Sequence, residues 1–357
     1  MSEIIQLSKR IAMPTQSPAL ARAPHTDDRQ LWDVIFGIFG LPALFIAHRL
    51  NLFQFVADKN PTLDELCEGL NLHRRGAQIL VSTSTSLGFL DLIDDRYCLT
   101  PLAKDYLLES SANYFGHYWD LLIDNHEVFS FEALMAAVVS DTPRAYGVKD
   151  IYQTHREDAQ RTRTFTRAMH SVSVAAASGW IQKLDLTGYR RMLDIGGGSG
   201  AHALTAASAV PHLQVTVFDL ATVCPVTEEF ITRYGLETRV KAQPGDMWND
   251  AFPQADLHFY SHVYHGWKPD KCQFLSQKSF ESMEAGGRII VHEILYDDIG
   301  KTGPFPAAAL SMIMLGWGEG EQYSGPQIQS FLEEAGFRDI QIIPTYGYHS
   351  IVTGRKP

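Results

Sequence analysis

The chain has 357 residues, a length that allows one large domain or two of ordinary size. Its 45% hydrophobic and 20% charged residues are values typical of globular proteins with a sizeable core. A formal net charge of −11 argues against a nucleic-acid-binding protein, which normally carries a basic face. The four cysteines are widely separated and form no zinc-binding spacing, so we expect reduced thiols, a cytoplasmic protein and no metal.

The N-terminal region begins with a polar, proline-containing stretch, which predicts a loose arm over residues 1–28. Apolar residues then recur at helical spacing over residues 31–50 and predict one or two helices. The longest apolar window, residues 34–47, contains two glycines and a proline and is shorter than the ~20 residues that span a bilayer. We therefore expect no membrane segment.

The next elements follow a winged-helix pattern. Thr62 and Glu65 predict a capped helix start, and a second helix is expected over residues 74–87. Two short strands then flank the turn at Asp94 and Asp95, and a third helix begins behind the cap Thr100. Such a pattern binds DNA in some proteins. Because the hairpin carries three aspartates and the second helix few bases, we favour a dimerisation role.

Helical patterning continues over residues 113–184, and after Gly188 strands and helices alternate. This alternation predicts a mostly parallel, doubly wound α/β sheet with helices on both faces. The last two strands are separated by only residues 344–348, which allows only an antiparallel pair. We therefore expect a helical domain over residues 29–185 and an α/β domain over residues 186–357. Strands are predicted at residues 192–195, 214–218, 240–243, 257–261, 288–294, 340–343 and 349–353.

The segment of residues 191–200 is the strongest local signal in the chain. An apolar strand ends in Asp194, four glycines follow within five residues, and a helix begins at once. Glycines allow a positive φ and let a ligand approach the main chain without meeting a Cβ. The pattern also satisfies a dinucleotide fingerprint at Gly196, Gly198 and Ala201, which is weak when taken alone.

Acidic residues follow the first three predicted strands. Because ligands bind at the carboxyl ends of parallel strands, we expect Asp194, Asp219 and Asp246 to share one site. Asp219 is placed to accept ribose hydroxyls, and Asp246 with Met247 suits an adenine. An acid before the glycines disfavours a pyrophosphate and suits a cation. The set fits S-adenosyl-L-methionine better than NAD.

The fourth strand ends in a histidine-containing loop on the same edge. A histidine there can act as general base toward a substrate hydroxyl, because its pKa lies near working pH. The alternatives are a capping or core histidine, or a metal ligand. We favour a structural role for His262, which we also count with the substrate pocket, whereas the family motif described next favours the base for His265.

Several segments together resemble the small-molecule O-methyltransferases of the caffeate and hydroxyindole type. In the C-terminal half these are LDIGGGSG (193–200), VFDL (217–220), GDMW (245–248), YHGWKPDKC (264–272), EAGGRIIVHE (284–293) and FLEEAGF (331–337). The segments similar to the dimerisation winged helix of that family are ALFIAHRLNLF (43–53), LDELCEGLNL (63–72), LVSTSTSLGFL (80–90) and YCLTPLAKDYL (97–107). The resemblance covers nearly the whole chain.

The resemblance implies a homodimer acting on a small secondary metabolite, with a helical dimerisation domain and a class I, Rossmann-like methyltransferase domain. It implies His265 as the catalytic base, oriented by Glu293, and Met169 beside the transferred methyl group, with His170 next to it in the pocket. The implied contacts to S-adenosyl-L-methionine are Asp194, Gly196, Gly198, Asp219, Leu220, Asp246, Met247, Ser261 and Trp267.

Three positions depart from the family pattern. Gly266 stands where the family usually has aspartate, and Ser261 where many plant members have a basic residue. Gln322, next to Glu321, stands where a second glutamate usually supports the base. Two alternatives therefore remain open. One keeps the fold and cofactor for C- or N-methylation, or for a cyclisation, decarboxylation or pericyclic step. The other is a winged-helix DNA-binding regulator, which the acidic hairpin disfavours.

Overall fold

The computed structural model describes residues 25–143, 145 and 151–357. The loose arm predicted over residues 1–28 lies almost entirely outside the described residues. Within them, the predicted N-terminal helices and the hairpin are present. In chain order they are α1 (Arg29–Arg49), α2 (Leu52–Lys59), α3 (Leu63–Gly69), α4 (Arg74–Ser86), β1 (Leu90–Ile93), β2 (Arg96–Leu99) and α5 (Pro101–Tyr106).

Local sequence signals explain where these elements begin and turn. The Thr62 hydroxyl accepts the N–H of Glu65, whose carboxylate accepts the N–H of Thr62, so the predicted capping box is confirmed. The Thr100 hydroxyl accepts the N–H of Ala103 at the start of α5. Asp94 and Asp95 both have positive φ, the conformation that joins the strands of a tight hairpin.

Helix α1 is a single helix, one of the two outcomes predicted for residues 31–50. It runs without interruption through Pro42, and by length and a mean hydropathy of 1.7 it is sufficient to cross a membrane. The expectation that this segment is too short to span a bilayer is therefore wrong. Only 11% of its most apolar window is buried within the chain. Its exposed large apolar side chains include Leu31, Val34, Ile35, Phe36, Ile38 and Phe39.

The second helical group connects the two halves of the molecule. It consists of α6 (Gly116–Asp124), α7 (Phe131–Ser140), α8 (Ile151–Glu157) and α9 (Ala159–Ile181). The long helix α9 packs on α6 and also on the first helix of the α/β region. Near its end, the ring of Trp180 is fully buried and stacks on Phe259 of the sheet at 4.5 Å between ring centroids. Burial of such a large aromatic side chain ties the helical group to the sheet.

The C-terminal half is a seven-stranded sheet with the order β5-β4-β3-β6-β7-β9-β8. The first five strands of this order are parallel, and β9 runs antiparallel to both β7 and β8. The predicted doubly wound sheet with a C-terminal antiparallel pair is confirmed. Its elements are β3 (Arg191–Ile195), α10 (Ala201–Ala209), β4 (Gln214–Asp219), α11 (Cys224–Arg233), β5 (Val240–Pro244), β6 (Leu257–Ser261), α12 (Pro269–Ser282), β7 (Arg288–Ile294), α13 (Phe305–Trp317), α14 (Gly325–Ala335), β8 (Arg338–Pro344) and β9 (His349–Arg355).

The shared direction of the parallel strands places the candidate site residues along one edge of the sheet. Neighbouring residues of β3 face opposite sides, so that Met192 joins the core around Trp180 and Leu193 the core around Tyr260. The carboxyl ends of the parallel strands all point to the same edge. Because β9 is antiparallel, its amino end at His349 lies there too, paired with Ile294 of β7. The site is built along this edge.

Candidate active site

The glycine loop between β3 and α10 adopts backbone angles that favour glycine. Gly196, Gly198 and Gly200 all have positive φ, between 57° and 78°. A Cβ on Gly197 would lie 2.6 Å from Cγ of Asp194, whereas one on Gly198 would meet only open space. The loop is therefore closed on its inner side against Asp194 and open on the side where a ligand can approach the main chain.

Asp194 is a buried carboxylate beneath this loop. Its side chain is 1% exposed, and neither oxygen has a hydrogen bond of ordinary geometry to any described residue. Burial raises the pKa of Asp194 to about 7, and the nearby Asp219 adds to the shift, while the backbone N–H of Ala203 opposes it. A cationic ligand group would supply the missing partner and favour the ionised form.

Asp219 joins the end of β4 to the glycine loop. Its two oxygens accept the backbone N–H groups of Gly198 at 2.8 Å and Leu220 at 2.7 Å. Burial raises the pKa of Asp219, and these two backbone hydrogen bonds oppose that rise. Each oxygen keeps further acceptor capacity, so Asp219 holds the loop in shape and still offers its carboxylate to a ligand diol.

Asp246 follows β5 and is engaged in contacts that the sequence did not indicate. Its carboxylate accepts the backbone N–H of Trp248 at 2.9 Å and the Arg156 guanidinium at 2.8 Å. Burial alone would raise the pKa of Asp246, but these hydrogen bonds and the charge of Arg156 outweigh it and lower the pKa. Arg156 lies on α8, 90 residues away in the chain. No local motif links it to this strand.

His265 and Glu293 form the best-defined pair of the site. Nδ1 of His265 lies 2.8 Å from Oε2 of Glu293, and the backbone N–H of His265 donates to Oε1 at 3.3 Å. Glu293 is 2% exposed. Burial would raise the pKa of Glu293, but His265 outweighs that effect and lowers it. The carboxylate is thus ionised and accepts the proton on Nδ1, which leaves Nε2 of His265 with a free lone pair.

His262 approaches the same carboxylate from the other side. It has a φ of 53°, and its Nδ1 lies 3.8 Å from Oε2 of Glu293. Its Nε2 lies 3.0 Å from Nε2 of His349 at the start of β9. Burial lowers the pKa of His262 to about 3 against the opposing charge of Glu293, so its imidazole is neutral at pH 7. The structural role favoured for His262 is compatible with these contacts.

The aromatic side of the site lies around Trp267. Its ring is 4% exposed, meets Trp248 edge-on at 4.8 Å between centroids and lies under the Lys271 ammonium at 4.5 Å. Met247 packs on the same apolar cluster, and its carbonyl accepts from Lys278 at 2.7 Å. Met247 and Trp267 therefore belong to one apolar cluster beside the ends of β5 and β6.

The structure shows what surrounds each of the three residues that depart from the family pattern. The Ser261 hydroxyl bonds to Nδ1 of His292 at 2.9 Å on the adjacent strand. The Gln322 side chain is fully buried, and neither of its amide atoms has a partner among the described residues. Glu321 instead points outward and pairs with Lys301 at 2.6 Å. The buried position is therefore the neutral Gln322, not the neighbouring acid.

Gly266 lies in a loop that packs tightly against Gly320, a contact that the sequence did not indicate. A Cβ on Gly320 would overlap the carbonyl oxygen of His265 and the backbone nitrogen of Trp267, and would lie 2.5 Å from the carbonyl carbon of Gly266. The Tyr323 hydroxyl also donates to the Trp267 carbonyl at 2.6 Å. The segment after α13 thus holds the main chain of the proposed base, and only glycine fits at Gly320.

Met169 and His170, the remaining pocket residues, face different surroundings. Met169 packs in a cluster with Trp317 on α13. His170 bonds through Nδ1 to the Ser199 hydroxyl at 2.8 Å and stacks on Phe230 at 3.8 Å. Burial lowers the pKa of His170 to about 3. His170 therefore supports the glycine loop, whereas Met169 belongs to the apolar wall between α9 and α13.

With this geometry in place, residues 131–338 match the O-methyltransferase domain family. The chain belongs to this family. The chain is 29% identical over 329 residues to a 3-hydroxy-5-methyl-1-naphthoate 3-O-methyltransferase of Streptomyces sahachiroi, covering 91% of this chain and 94% of the relative. It is also 28% identical over 355 residues to an L-tyrosine C(3)-methyltransferase of Streptomyces lavendulae, covering 96% of each chain.

A solved structure extends the similarity to the whole fold. The crystal structure of human N-acetylserotonin methyltransferase in complex with S-adenosylmethionine superposes with a TM-score of 0.82 at 26% identity. The match covers 94% of this chain and 99% of the human chain. The fold predicted from the sequence is thus that of a known methyltransferase.

The packing of Gly320 predicts a strong effect on turnover in this O-methyltransferase family member. Gly320→Ala forces the His265–Trp267 main chain to move, and a displacement of about 1 Å at a reacting group costs roughly 10²-fold in rate. Gly318→Ala is the matched control, because its Cβ would meet the Gly266 oxygen at an ordinary 3.6 Å. Turnover is compared after circular dichroism shows both variants folded. Equal rates would contradict the positioning role.

Proposed function

We propose that this chain is an S-adenosyl-L-methionine-dependent O-methyltransferase acting on a phenolic or enolic hydroxyl group of a small secondary metabolite. The observation that carries the proposal is the His265–Glu293 pair, which stands on the same sheet edge as the glycine loop. The naphthoate relative methylates a hydroxyl of an aromatic acid by its name, and the human neighbour binds S-adenosylmethionine. Both support the proposed cofactor and substrate class.

The residues around the glycine loop fit this cofactor. The buried Asp194 carboxylate has no hydrogen bond of ordinary geometry to a described residue, and the cofactor's amino group and sulfonium would give it a cationic partner. Asp219 offers acceptor positions to the ribose hydroxyls, and the open side of Gly198 admits the ligand to the main chain. Met247 and Trp267, which share one apolar cluster, would offer apolar contacts to the adenine. When bound, the cofactor supplies a methyl group activated by its positively charged sulfur.

The protein's contribution to the reaction is alignment and removal of one proton. Nε2 of His265 would take the hydroxyl proton of the bound substrate as general base. Glu293 is ionised, holds Nδ1–H and stabilises the imidazolium that forms. Phenols with a pKa near about 10 require only modest help from such a base. The apolar cluster around Met169 and Trp317 forms one wall beside the substrate.

C-methylation is a second candidate, favoured by one observation. The Streptomyces lavendulae relative is named for methylating a ring carbon of tyrosine, at an identity similar to that of the O-methylating relative. In O-methylation the substrate loses its hydroxyl proton to His265, whereas in C-methylation it loses a ring C–H proton overall and keeps the hydroxyl group, so the product masses are equal. The proton and carbon NMR spectra of the product distinguish a methyl group on oxygen from one on carbon, and so decide between the two.

The base assignment predicts a loss of turnover with cofactor binding retained. His265→Ala is expected to lower kcat by ~10²-fold or more, because general-base assistance is lost. The dissociation constant for S-adenosylmethionine, measured by calorimetry, should stay nearly unchanged. The matched control is His73→Ala, an exposed histidine at the start of α4. A His265→Ala enzyme as fast as the control would reject the base role.

The pKa of Asp194 predicts a pH dependence of cofactor binding. Its pKa of about 7 means that the free protein carries a protonated, neutral Asp194 at lower pH. A cationic ligand requires the ionised form, so affinity should rise by up to about tenfold per pH unit below pH 7 and level off above it. Calorimetric titrations across pH measure this slope. Asp194→Asn should bind weakly and with a flatter profile, and an unchanged slope would contradict the assignment.

We also propose that the protein is a cytoplasmic homodimer, assembled through a dimerisation domain of residues 29–185 that precedes a cofactor-binding domain of residues 186–357. The support is α1, whose apolar side chains are largely uncovered by the rest of the chain. The resemblance of this half to a dimerisation winged helix indicates a second copy as the partner. Paired copies would remove the apolar face of α1 from water.

Substitutions on α1 test this assembly. Phe39→Glu is expected to convert the dimer into monomers in sedimentation equilibrium, because it places a charge on the apolar face. Ile299→Glu is the matched control, since Ile299 and Phe39 are both 68% exposed but lie in different parts of the chain. If α1 instead inserts into a bilayer, the wild-type protein will sediment with lipid vesicles and will need detergent to stay in solution.

A further inference from the structure

We propose that His262, His265 and Glu293 form a binding site for a divalent transition metal of the zinc class, and that metal binding there inactivates His265 as a base. The sequence predicted no metal, because its four cysteines form no zinc-binding spacing. The site itself is independent of the reaction. Its effect on methyl transfer rests on the proposed function.

The three side chains already surround one point. Their potential ligand atoms all lie within 4.8 Å of one another. Nδ1 of His265 and Nδ1 of His262 lie 2.8 and 3.8 Å from the same carboxylate oxygen of Glu293. Two donors of a tetrahedral zinc ion are about 3.3 Å apart when its bonds are 2.0–2.1 Å long. Shifts of about half an ångström therefore bring each histidine nitrogen to the distance from the Glu293 oxygen that zinc ligands have, and the 4.8 Å limit on the set leaves room for one ion among the three atoms.

The hydrogen bonds around His262 leave a lone pair directed at this point. Nδ1 of His349 lies 3.2 Å from the Tyr346 carbonyl oxygen, which can only accept, so Nδ1 carries the proton. Nε2 of neutral His349 is then an acceptor, and Nε2 of His262 must donate to it at 3.0 Å. Neutral His262 therefore has no proton on Nδ1. Its lone pair faces the Glu293 carboxylate, and a cation placed between them would satisfy both.

The ligand set is chemically suited to zinc. Two imidazoles and one carboxylate are a common set of protein ligands, which leaves a fourth position for water. Glu293 is ionised and buried, so it contributes a full negative charge at the bottom of the site. His349 fixes the orientation of the His262 ring through its other nitrogen, as second partners of metal-binding histidines commonly do.

Metal binding and general-base catalysis exclude each other at His265. The ion occupies Nδ1, and the proton displaced from Nδ1 moves to Nε2. The imidazole then carries N–H at Nε2, and it cannot accept the substrate proton there. Binding also takes Glu293 away from its hydrogen bond to His265. Zinc should thus suppress methyl transfer without touching the cofactor residues on β3 and β4.

Direct binding measurements test the site. The full chain is treated with chelator and titrated with ZnCl₂ by calorimetry, and with CoCl₂ while the visible absorption of tetrahedral Co²⁺ is recorded. We expect one tight ion per chain. His262→Asn, which retains a residue type tolerated at positive φ, and Glu293→Gln should each weaken binding at least ~10-fold, because each loses one ligand. His73→Gln, an exposed histidine, is the control and should bind as wild type.

Activity measurements separate this proposal from the proposed function. Zinc should inhibit wild-type methyl transfer while the affinity for S-adenosylmethionine stays constant, and His262→Asn should need at least ~10-fold more zinc for the same fractional inhibition. Absence of zinc binding in an active wild-type enzyme would overturn the metal site and leave the function standing. The site is also rejected if folded His262→Asn and Glu293→Gln both bind zinc as tightly as wild type. Zinc binding that depends on both residues, in a protein with no methyl transfer, would instead overturn the function alone.

Discussion

The candidate site depends on one buried carboxylate, Glu293 near the carboxyl end of β7. It accepts two hydrogen bonds from His265, one from the ring and one from the main chain, and so fixes both the imidazole and the loop that carries it. A buried charge is expensive without partners, and its lowered pKa shows that His265 compensates for burial. Because the same oxygen also faces His262, this carboxylate orients the proposed base and provides the charge of the proposed metal site.

Asp194 is the counterpart of Glu293 on the cofactor side. Both carboxylates are almost completely buried, yet the pKa of Asp194 is raised to about 7 and that of Glu293 is lowered. The difference lies in their partners: Glu293 faces two imidazoles, whereas among the described residues Asp194 faces the like charge of Asp219 and no cationic group. Ionisation of a buried carboxylate without a cationic partner destabilises the ligand-free protein. A bound cationic ligand stabilises the ionised carboxylate and so offsets this destabilisation.

Local patterns in the sequence predicted most of the fold. The capping box at Thr62, the hairpin turn at Asp94 and the alternating strands and helices after Gly188 each depend on neighbouring residues, and all are present. The main error concerned α1, whose apolar stretch the glycines and the proline made seem too short to span a bilayer. Contacts between distant segments were not predictable. Arg156 reaches Asp246, and Gly320 packs on the base loop, without any motif that joins them.

The sequence by itself determined the α/β order, the glycine loop with its three strand-end acids, and the identity of the histidines and the glutamate proposed for catalysis. Helix and strand periodicity, turn residues and the positive φ of glycine are local consequences of residue type, so these features can be derived from the chain. Only the tertiary structure decided which of them meet. It brought His349 to His262 because β9 runs antiparallel to β7, and it turned Gln322 inward and Glu321 outward. Such choices depend on packing between elements far apart in the chain, which no local pattern encodes.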